Sequence, residues 1–151
     1  MMSLPDERIE QNFDLNFYGN KLPEDAQFML EERLRLKEDQ TALSNYYDMY
    51  VKCIHGMLDG PVFDRLDKIK TPVFVAYGKD DLLIPNRLLH PNLTIEKVVG
   101  DASEKIPNQK IHLLEKCGHF IVSDQADAVS DLIRSFVKIK FLSTPISFLI
   151  R

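Results

Sequence analysis

The chain has 151 residues, of which 44% are hydrophobic and 28% are charged, and its formal net charge is -4 at pH 7. This length allows one domain with a sizeable core, and the composition is ordinary for a globular protein, which excludes disorder and collagen-like repeats. The negative net charge and the scattered lysines and arginines argue against binding to nucleic acid or to an anionic membrane surface.

The cysteines and the chain ends indicate a compartment. Cys53 and Cys117 show no C-x-x-C spacing, which is typical of free thiols in a reducing environment. A zinc site would need more ligands at closer spacing. The first residues, MMSLPDERIEQNFD, lack an apolar signal region, and the apolar stretch FLSTPISFLI at 141–150 is too short to span a bilayer. We therefore expect a cytoplasmic protein without a metal, a cofactor or a membrane anchor.

The first part of the chain has a helical pattern. Apolar residues recur there at three- and four-residue steps, on one helix face: Leu43, Tyr46, Tyr47, Tyr50, Val51, Ile54, Met57 and Leu58. Residues 24–39 carry many charges and predict a more exposed helix. We expect the tyrosines, Met49 and Met57 to pack in a core, with lining of a substrate pocket as the alternative for the tyrosines.

From Pro72 the pattern alternates between strand and helix. Residues 73–77 form a short apolar run that predicts a strand buried on both faces of a parallel sheet. A helix is expected over 95–106, a second strand over 110–114, and a last helix whose predicted N-cap is Ser123. The apolar stripe of this last helix is Ala126, Val129, Leu132, Ile133, Phe136 and Val137. This order predicts an α/β fold with a parallel sheet and helical crossovers.

Polar side chains follow both predicted strands. Asp80 and Asp81 come directly after the first strand, and His119 follows the second. Because neighbouring parallel strands end at the same edge of a sheet, the two loops should lie side by side. A carboxylate that bonds one imidazole nitrogen orients the ring and stabilises the imidazolium. The spacing therefore predicts a carboxylate–histidine pair.

Two strings carry a family resemblance: IKTPVFVAYGKDDLLIPN, and later IPNQKIHLLEKCGHFIVSDQADAVSDLIRSFV. Together they resemble the C-terminal part of an α/β-hydrolase, of the kind related to esterases and to hydrolases that cleave carbon–carbon bonds. The resemblance covers residues 66–137 well and the earlier helical segment loosely.

The resemblance implies a fold and two roles. Asp81 matches the acid of the family and His119 matches its general base. The implied architecture is a partial hydrolase sheet, with two C-terminal parallel strands and crossover helices, preceded by a helical cap segment. We accordingly divide the chain into a cap-like segment at 1–61, the C-terminal portion of a hydrolase core at 62–140, and an unassigned apolar tail at 141–151.

The nucleophile of such a family lies in a G-x-S-x-G turn that precedes the acid and the base in the chain. No G-x-S-x-G occurs in the 151 residues, and the nearest string, from Gly100 to Ser103, has the wrong spacing within a predicted helix. We therefore expect a C-terminal piece of a longer hydrolase that carries the acid and the base but no serine. Alone, it should not hydrolyse simple activated esters.

Other candidate residues favour structural roles. Cys117 lies close to His119 in sequence, but residues of a strand end point to alternate sides, so burial as a small apolar residue is the expectation for it. Asp80 is expected to be a solvated or turn residue, with the acid role in place of Asp81 as its alternative. His55, His90 and His112 have no partner at ligand spacing, and we expect them to be structural or exposed.

Two functions remain open from the sequence. In the first, a complete enzyme hydrolyses a small-molecule ester or related carbonyl compound by a Ser-Asp-His mechanism without a cofactor. In the second, the chain is a non-catalytic interaction protein that self-associates or pairs with another chain through an exposed sheet edge and the apolar tail. An independent nucleotide-binding domain is disfavoured because neither predicted strand is followed by G-x-G-x-x-G.

Overall fold

A computed structural model describes residues 5–138 of the chain. The helices and strands are, in chain order, α1 (Asp6–Asp14), α2 (Gln27–Arg35), α3 (Gln40–Asp59), β1 (Val73–Gly78), α4 (Ile95–Lys105), β2 (Gln109–Leu114), α5 (Ile121–Asp124) and α6 (Ala126–Val137). Short 3-10 turns lie at Tyr18–Asn20, Glu24–Ala26 and Phe63–Lys68. The apolar tail at 141–151 lies outside the described residues.

The two strands form a parallel pair. Their register runs from Val73 opposite Gln109 to Gly78 opposite Leu114, and α4 forms the crossover between them. Thr94 is the N-cap of α4, because its hydroxyl oxygen accepts a hydrogen bond from the Lys97 amide at 3.2 Å. The α/β class and the predicted parallel pairing are therefore confirmed.

The prediction that the first strand is buried on both faces is wrong for this structure. All residues of β1 except Gly78 are only half-buried, as are all residues of β2. Within residues 5–138 the sheet has two strands, so both of its outer edges lack a neighbouring strand. Helix α6 covers part of the sheet, where the Phe74 and Phe136 rings lie 5.6 Å apart.

The predicted N-cap of the last helix is also wrong. Ser123 lies inside the one-turn helix α5, where the Phe120 carbonyl accepts hydrogen bonds from the Ser123 and Asp124 amides at 2.9 and 3.1 Å. Gln125 then leaves the helical region of backbone angles, and α6 starts at Ala126 without a side-chain cap. The local turn at Phe120 thus separates two helices that the apolar pattern alone joins.

The helical region packs through one small cluster. Its buried members come from α1, α2 and the loop between them: Ile9, Phe17, Leu22, Ala26 and Leu30. Asp39 is the N-cap of helix α3, and its side chain accepts hydrogen bonds from the Thr41 and Ala42 amides. Beyond its first turns this helix lies on the surface.

The expected core packing of α3 is therefore wrong for part of its apolar face. Leu43 is buried, but Met49 and Met57 are 54% and 62% exposed. The reason is that α3 meets α2 near Arg33 and Tyr47, and no described element covers its C-terminal half.

Among residues 5–138 no helix is both long enough and apolar enough to cross a membrane.

Candidate active site

The loop after β1 holds Asp81 in a fixed orientation. This carboxylate is buried, with 5% of the residue exposed, and its Oδ1 atom accepts hydrogen bonds from the Leu83 and Ile84 amides at 2.8 and 3.0 Å. Tyr77 secures the same loop because its hydroxyl donates to the Ile84 carbonyl at 3.2 Å. Burial, and secondarily the Asp81 charge, raises the pKa of Tyr77 to about 12.

The loop after β2 brings His119 to this carboxylate. The distance from His119 Nδ1 to Asp81 Oδ2 is 2.9 Å, and the histidine side chain is 36% exposed. With the proton on Nδ1, the ring donates to the carboxylate, which leaves Nε2 to exchange a proton with a third group. The structure thus brings together the two residues that the sequence singled out. Their catalytic role remains a prediction.

The two loops approach each other at their backbones. A Cβ atom added to Gly78 would lie 2.1 Å from the Gly118 carbonyl oxygen and 2.3 Å from that of Cys117. Real side chains never come so close, which means that only glycine fits at the end of β1. Gly118 also lacks room for a side chain, because a Cβ atom there would lie 2.8 Å from the Asn16 carbonyl oxygen.

Asp80 does more than the sequence analysis assigned to it. The residue is exposed, as predicted, but its Oδ2 atom accepts a hydrogen bond from the Cys117 amide at 3.2 Å. Its own amide donates to the Cys117 carbonyl at 2.9 Å. Asp80 therefore ties the loop after β1 (the Asp81 loop) to the loop after β2 (the histidine loop), while its neighbour Asp81 bonds the imidazole.

Sequence reasoning missed a second support of the histidine loop, which comes from residues 16–18. The Phe120 amide donates to the Asn16 carbonyl at 2.9 Å, and the Phe17 ring, 1% exposed, packs edge-on against Phe120 at 5.3 Å. Asp124 accepts hydrogen bonds from the Tyr18 and Gly118 amides. Residue Tyr18 lies 106 positions from Asp124, and no local pattern signals such a contact.

Cys117 is buried, as predicted. The residue is 0% exposed, and burial, followed by the charges of Asp124, Asp80 and Asp81, raises the pKa of its thiol to about 11. Because the thiolate is the nucleophilic form of cysteine, this thiol is unreactive at neutral pH. A cysteine–histidine nucleophile is therefore disfavoured by the surroundings of Cys117.

The remaining candidates lie apart from the pair in contacts and chemistry. His55 and His90 are exposed, and His112 is half-buried with its ring 5.6 Å from that of Phe74. The Ser103 hydroxyl on α4 accepts a hydrogen bond from the side-chain Nε2 atom of Gln109 at 2.8 Å. No cluster of three or more potential metal ligands occurs in the described part of the chain, and the absence of a metal stays a prediction.

A cavity of about 430 Å³ lies between α1, α2, α3 and the Asp81 loop. Its lining residues are Ile9, Asn12, Phe13, Leu15, Asn16, Arg33, Tyr46, Tyr47, Tyr50 and Leu83. The three tyrosines therefore line a cavity, which was the alternative to packing in a core. Leu83 brings the cavity to within two residues of Asp81 in the chain.

Arg33 is the charged residue of this cavity. Its Nη2 atom donates to the Tyr47 hydroxyl at 3.2 Å, and its guanidinium lies 4.4 Å from the centre of the Tyr46 ring. Its Nη1 atom is buried and has no hydrogen-bond partner among the described residues. A buried donor without a partner costs about 1–3 kcal/mol and is uncommon in folded proteins.

Comparison with known proteins finds similar proteins in sequence and in structure. No family model matches the chain. A 2-hydroxy-6-oxononadienedioate/2-hydroxy-6-oxononatrienedioate hydrolase of Paraburkholderia phymatum is 26% identical over 116 residues, which are 75% of this chain and 37% of that protein. The chain thus spans little more than a third of the length of this curated relative.

The structural neighbours are both larger than the chain. An α/β-hydrolase enzyme from the metagenome of lagoon sediments at Mar Chica, Morocco, matches with a TM-score of 0.54 and 17% identity, over 73% of this chain and 44% of that one. A membrane phospholipase A, described as a bacterial virulence factor, matches with a TM-score of 0.61 and 16% identity, over 89% of this chain and 38% of that one. The parallel strand pair and these matches agree, and the chain has part of an α/β-hydrolase-like fold.

Proposed function

We propose that Asp81 and His119 are the acid and the general base of a hydrolase that acts on a carbonyl substrate. One observation carries the proposal: a buried carboxylate lies 2.9 Å from the Nδ1 atom of a partly exposed imidazole. This geometry fits a histidine that must accept a proton on Nε2. The hydrolase relative supports the reaction class.

The proposed mechanism uses the Nε2 atom of His119, which Asp81 leaves free. His119 Nε2 takes the proton of a serine hydroxyl, the serine oxygen attacks the carbonyl carbon, and Asp81 stabilises the imidazolium. The leaving group departs with the proton from Nε2. Water then attacks the acyl-serine and loses its proton to Nε2, which returns that proton to the serine oxygen as the acid product leaves. The proposal assigns the serine to a segment or chain outside these 151 residues, because they contain no G-x-S-x-G.

We further propose that the substrate carries a carboxylate that Arg33 binds. Arg33 lines the cavity, its Nη1 atom has no hydrogen-bond partner among the described residues, and a guanidinium pairs with carboxylates through two parallel hydrogen bonds. Tyr46 and Tyr47 around it would cover the apolar part of the substrate. The name of the Paraburkholderia relative specifies a dioate substrate, which fits an anion-binding cavity.

The first test is to read the coding sequence immediately upstream of the Met1 codon. An in-frame G-x-S-x-G segment after an apolar strand supports the proposal. The longer chain should then hydrolyse activated esters, and His119→Ala or Asp81→Asn should each lower kcat/KM about 10,000-fold. Retention of activity in both variants, or a stop codon with no serine-bearing partner chain, contradicts the proposal.

The substrate class has its own assay. Para-nitrophenyl acetate and para-nitrophenyl hemisuccinate share a leaving group, but only the second carries a carboxylate. In the longer, serine-bearing chain, Arg33→Met should raise KM for the hemisuccinate at least about tenfold, which corresponds to one lost charge-assisted hydrogen bond, and should leave the KM for the acetate unchanged. The control is Arg35→Met, on the same helix, which removes an exposed arginine paired with Glu32. Equal effects of the two variants would exclude Arg33 as the anion site.

A second candidate function is association with another chain without catalysis. Exposed apolar side chains favour it, among them Met57, Leu58 and Val62, which are 62%, 70% and 59% exposed. Both outer edges of the described sheet also lack a neighbouring strand. Size-exclusion chromatography with light scattering tests this candidate. A monomer across a range of concentrations would count against self-association.

A further inference from the structure

The side chain of Asp124 connects the histidine loop to a distant part of the chain. A single carboxylate oxygen, Oδ2, accepts a hydrogen bond from the Gly118 amide at 2.7 Å and another from the Tyr18 amide at 3.0 Å. The two donors belong to different parts of the molecule, one next to His119 and one in the helical region. Hydrogen bonds from backbone amides to an ionised carboxylate are stronger than neutral ones.

The backbone on both sides of His119 is held by this arrangement. Gly118 bonds Asp124, and Phe120 bonds the Asn16 carbonyl at 2.9 Å. The space around Gly118 is filled by the same segment, because an added Cβ atom would lie within 2.8 Å of Asn16 and Phe17 backbone atoms. The imidazole therefore takes its position from residues 16–18 as well as from β2.

We propose that Asp124 is a positioning residue which makes residues 16–18 of the helical region part of the frame that keeps His119 on Asp81. The proposal rests on the function proposed above for the pair. It adds that the helical region is coupled to the catalytic base directly, and does more than cover a cavity. The hydrogen bonds of the Asp124 side chain go to the Tyr18 and Gly118 amides, so it acts through the Gly118 amide and not on the imidazole directly.

The decisive readout is the position of the imidazole proton, which a merely structural role would not change. Nitrogen–proton NMR spectra of the whole 151-residue chain report, for each neutral histidine, how the proton is shared between Nδ1 and Nε2. Exposed His55 is an internal reference. We expect His119 to be protonated mainly on Nδ1, and Asp124→Asn to move its tautomer ratio toward that of His55.

The matched control removes the same charge three residues away. Asp127 is exposed in the first turn of α6, and Asp127→Asn should leave the His119 tautomer ratio unchanged. A variant cycle with Asp81→Asn then separates positioning from a simple loss of charge. If Asp124 acts by aligning His119 with Asp81, Asp124→Asn has no further effect once Asp81 is replaced. A full additional effect in that background would overturn the proposal, as would equal effects of Asp124→Asn and Asp127→Asn.

A second measurement on the unaltered chain keeps the proposal testable if Asp124→Asn fails to fold. The Gly118 and Tyr18 amides should be protected from hydrogen exchange to a similar degree, since both bond one carboxylate oxygen. Exchange of either amide at the rate of an exposed loop would overturn the proposal. Both measurements are independent of substrate turnover. A failed activity assay would therefore count against the proposed function, and a failed NMR test against the role of Asp124.

Discussion

The two regions of the molecule are organised in different ways. The helical region, residues 5–61, has a cluster of five buried side chains and a long helix with an exposed apolar face. The strand–helix region, residues 73–138, has half-buried strands, yet its two loops meet at backbone distances that allow only glycine. The precision of the Asp81–His119 pair therefore comes from close backbone contact and hydrogen bonds, and depends little on the size of a core.

The largest effect should come from adding one methyl group at the loop contact. Gly78→Ala would place a Cβ atom 2.1 Å from the Gly118 carbonyl oxygen, so the loops must separate, and we expect a loss of more than about 4 kcal/mol in the free energy of unfolding. Gly100→Ala on α4 is the control, because its Cβ atom meets no atom within 4 Å and alanine favours the helix by about 0.5–1 kcal/mol. Urea unfolding of both variants checks this. Equal stability of the two would refute the contact.

The next effect concerns the seam between the regions. Phe17→Ala removes a ring that is 1% exposed and packs on Phe120, and it should cost about 3 kcal/mol. Phe28→Ala removes a ring that is 62% exposed, and its effect should stay within about 0.5 kcal/mol. Thermal unfolding followed by circular dichroism measures both. A negligible cost at Phe17 would mean that the regions are not docked as described.

A smaller effect is expected at the helix caps, one in each region. Asp39→Ala at the start of α3 should cost about 1 kcal/mol, and Thr94→Ala at the start of α4 about the same or less, since Thr94 caps one amide where Asp39 caps two. Ser44→Ala, an exposed change within α3, is the control. If the regions unfold together, both caps lower one common urea midpoint. Separate midpoints would show two independent units.

The smallest effect is a pH dependence. Burial raises the pKa of Cys117 to about 11, whereas a cysteine in an unfolded chain ionises near pH 8.5, as is typical. The unfolded state therefore loses this proton first, and the free energy of unfolding should fall as the pH rises from about 8 to about 9. Cys117→Ala should reduce that fall, and Cys53→Ala should not. A pH dependence unaffected by Cys117→Ala would contradict the burial of the thiol.

The strand–helix region was largely predictable from its sequence. The apolar runs, the helical stripe of α4 and the loop positions of Asp81 and His119 follow from short-range periodicity, and the structure agrees with them. The Ser123 N-cap failed because a turn at Phe120 made a separate helix. The packing of Met49 and Met57 failed because periodicity identifies an apolar face but does not say whether another element covers it.

Local pattern was sufficient for the elements themselves and for the edge of the sheet where Asp81 and His119 would meet. Long-range contacts alone decided that Asn16 and Tyr18 support the histidine loop, that Asp124 joins the two regions, and that Arg33 lines a cavity. The physical reason is that helix and strand patterns depend on neighbours a few residues apart. A hydrogen bond between residues 106 positions apart depends on how the whole chain packs.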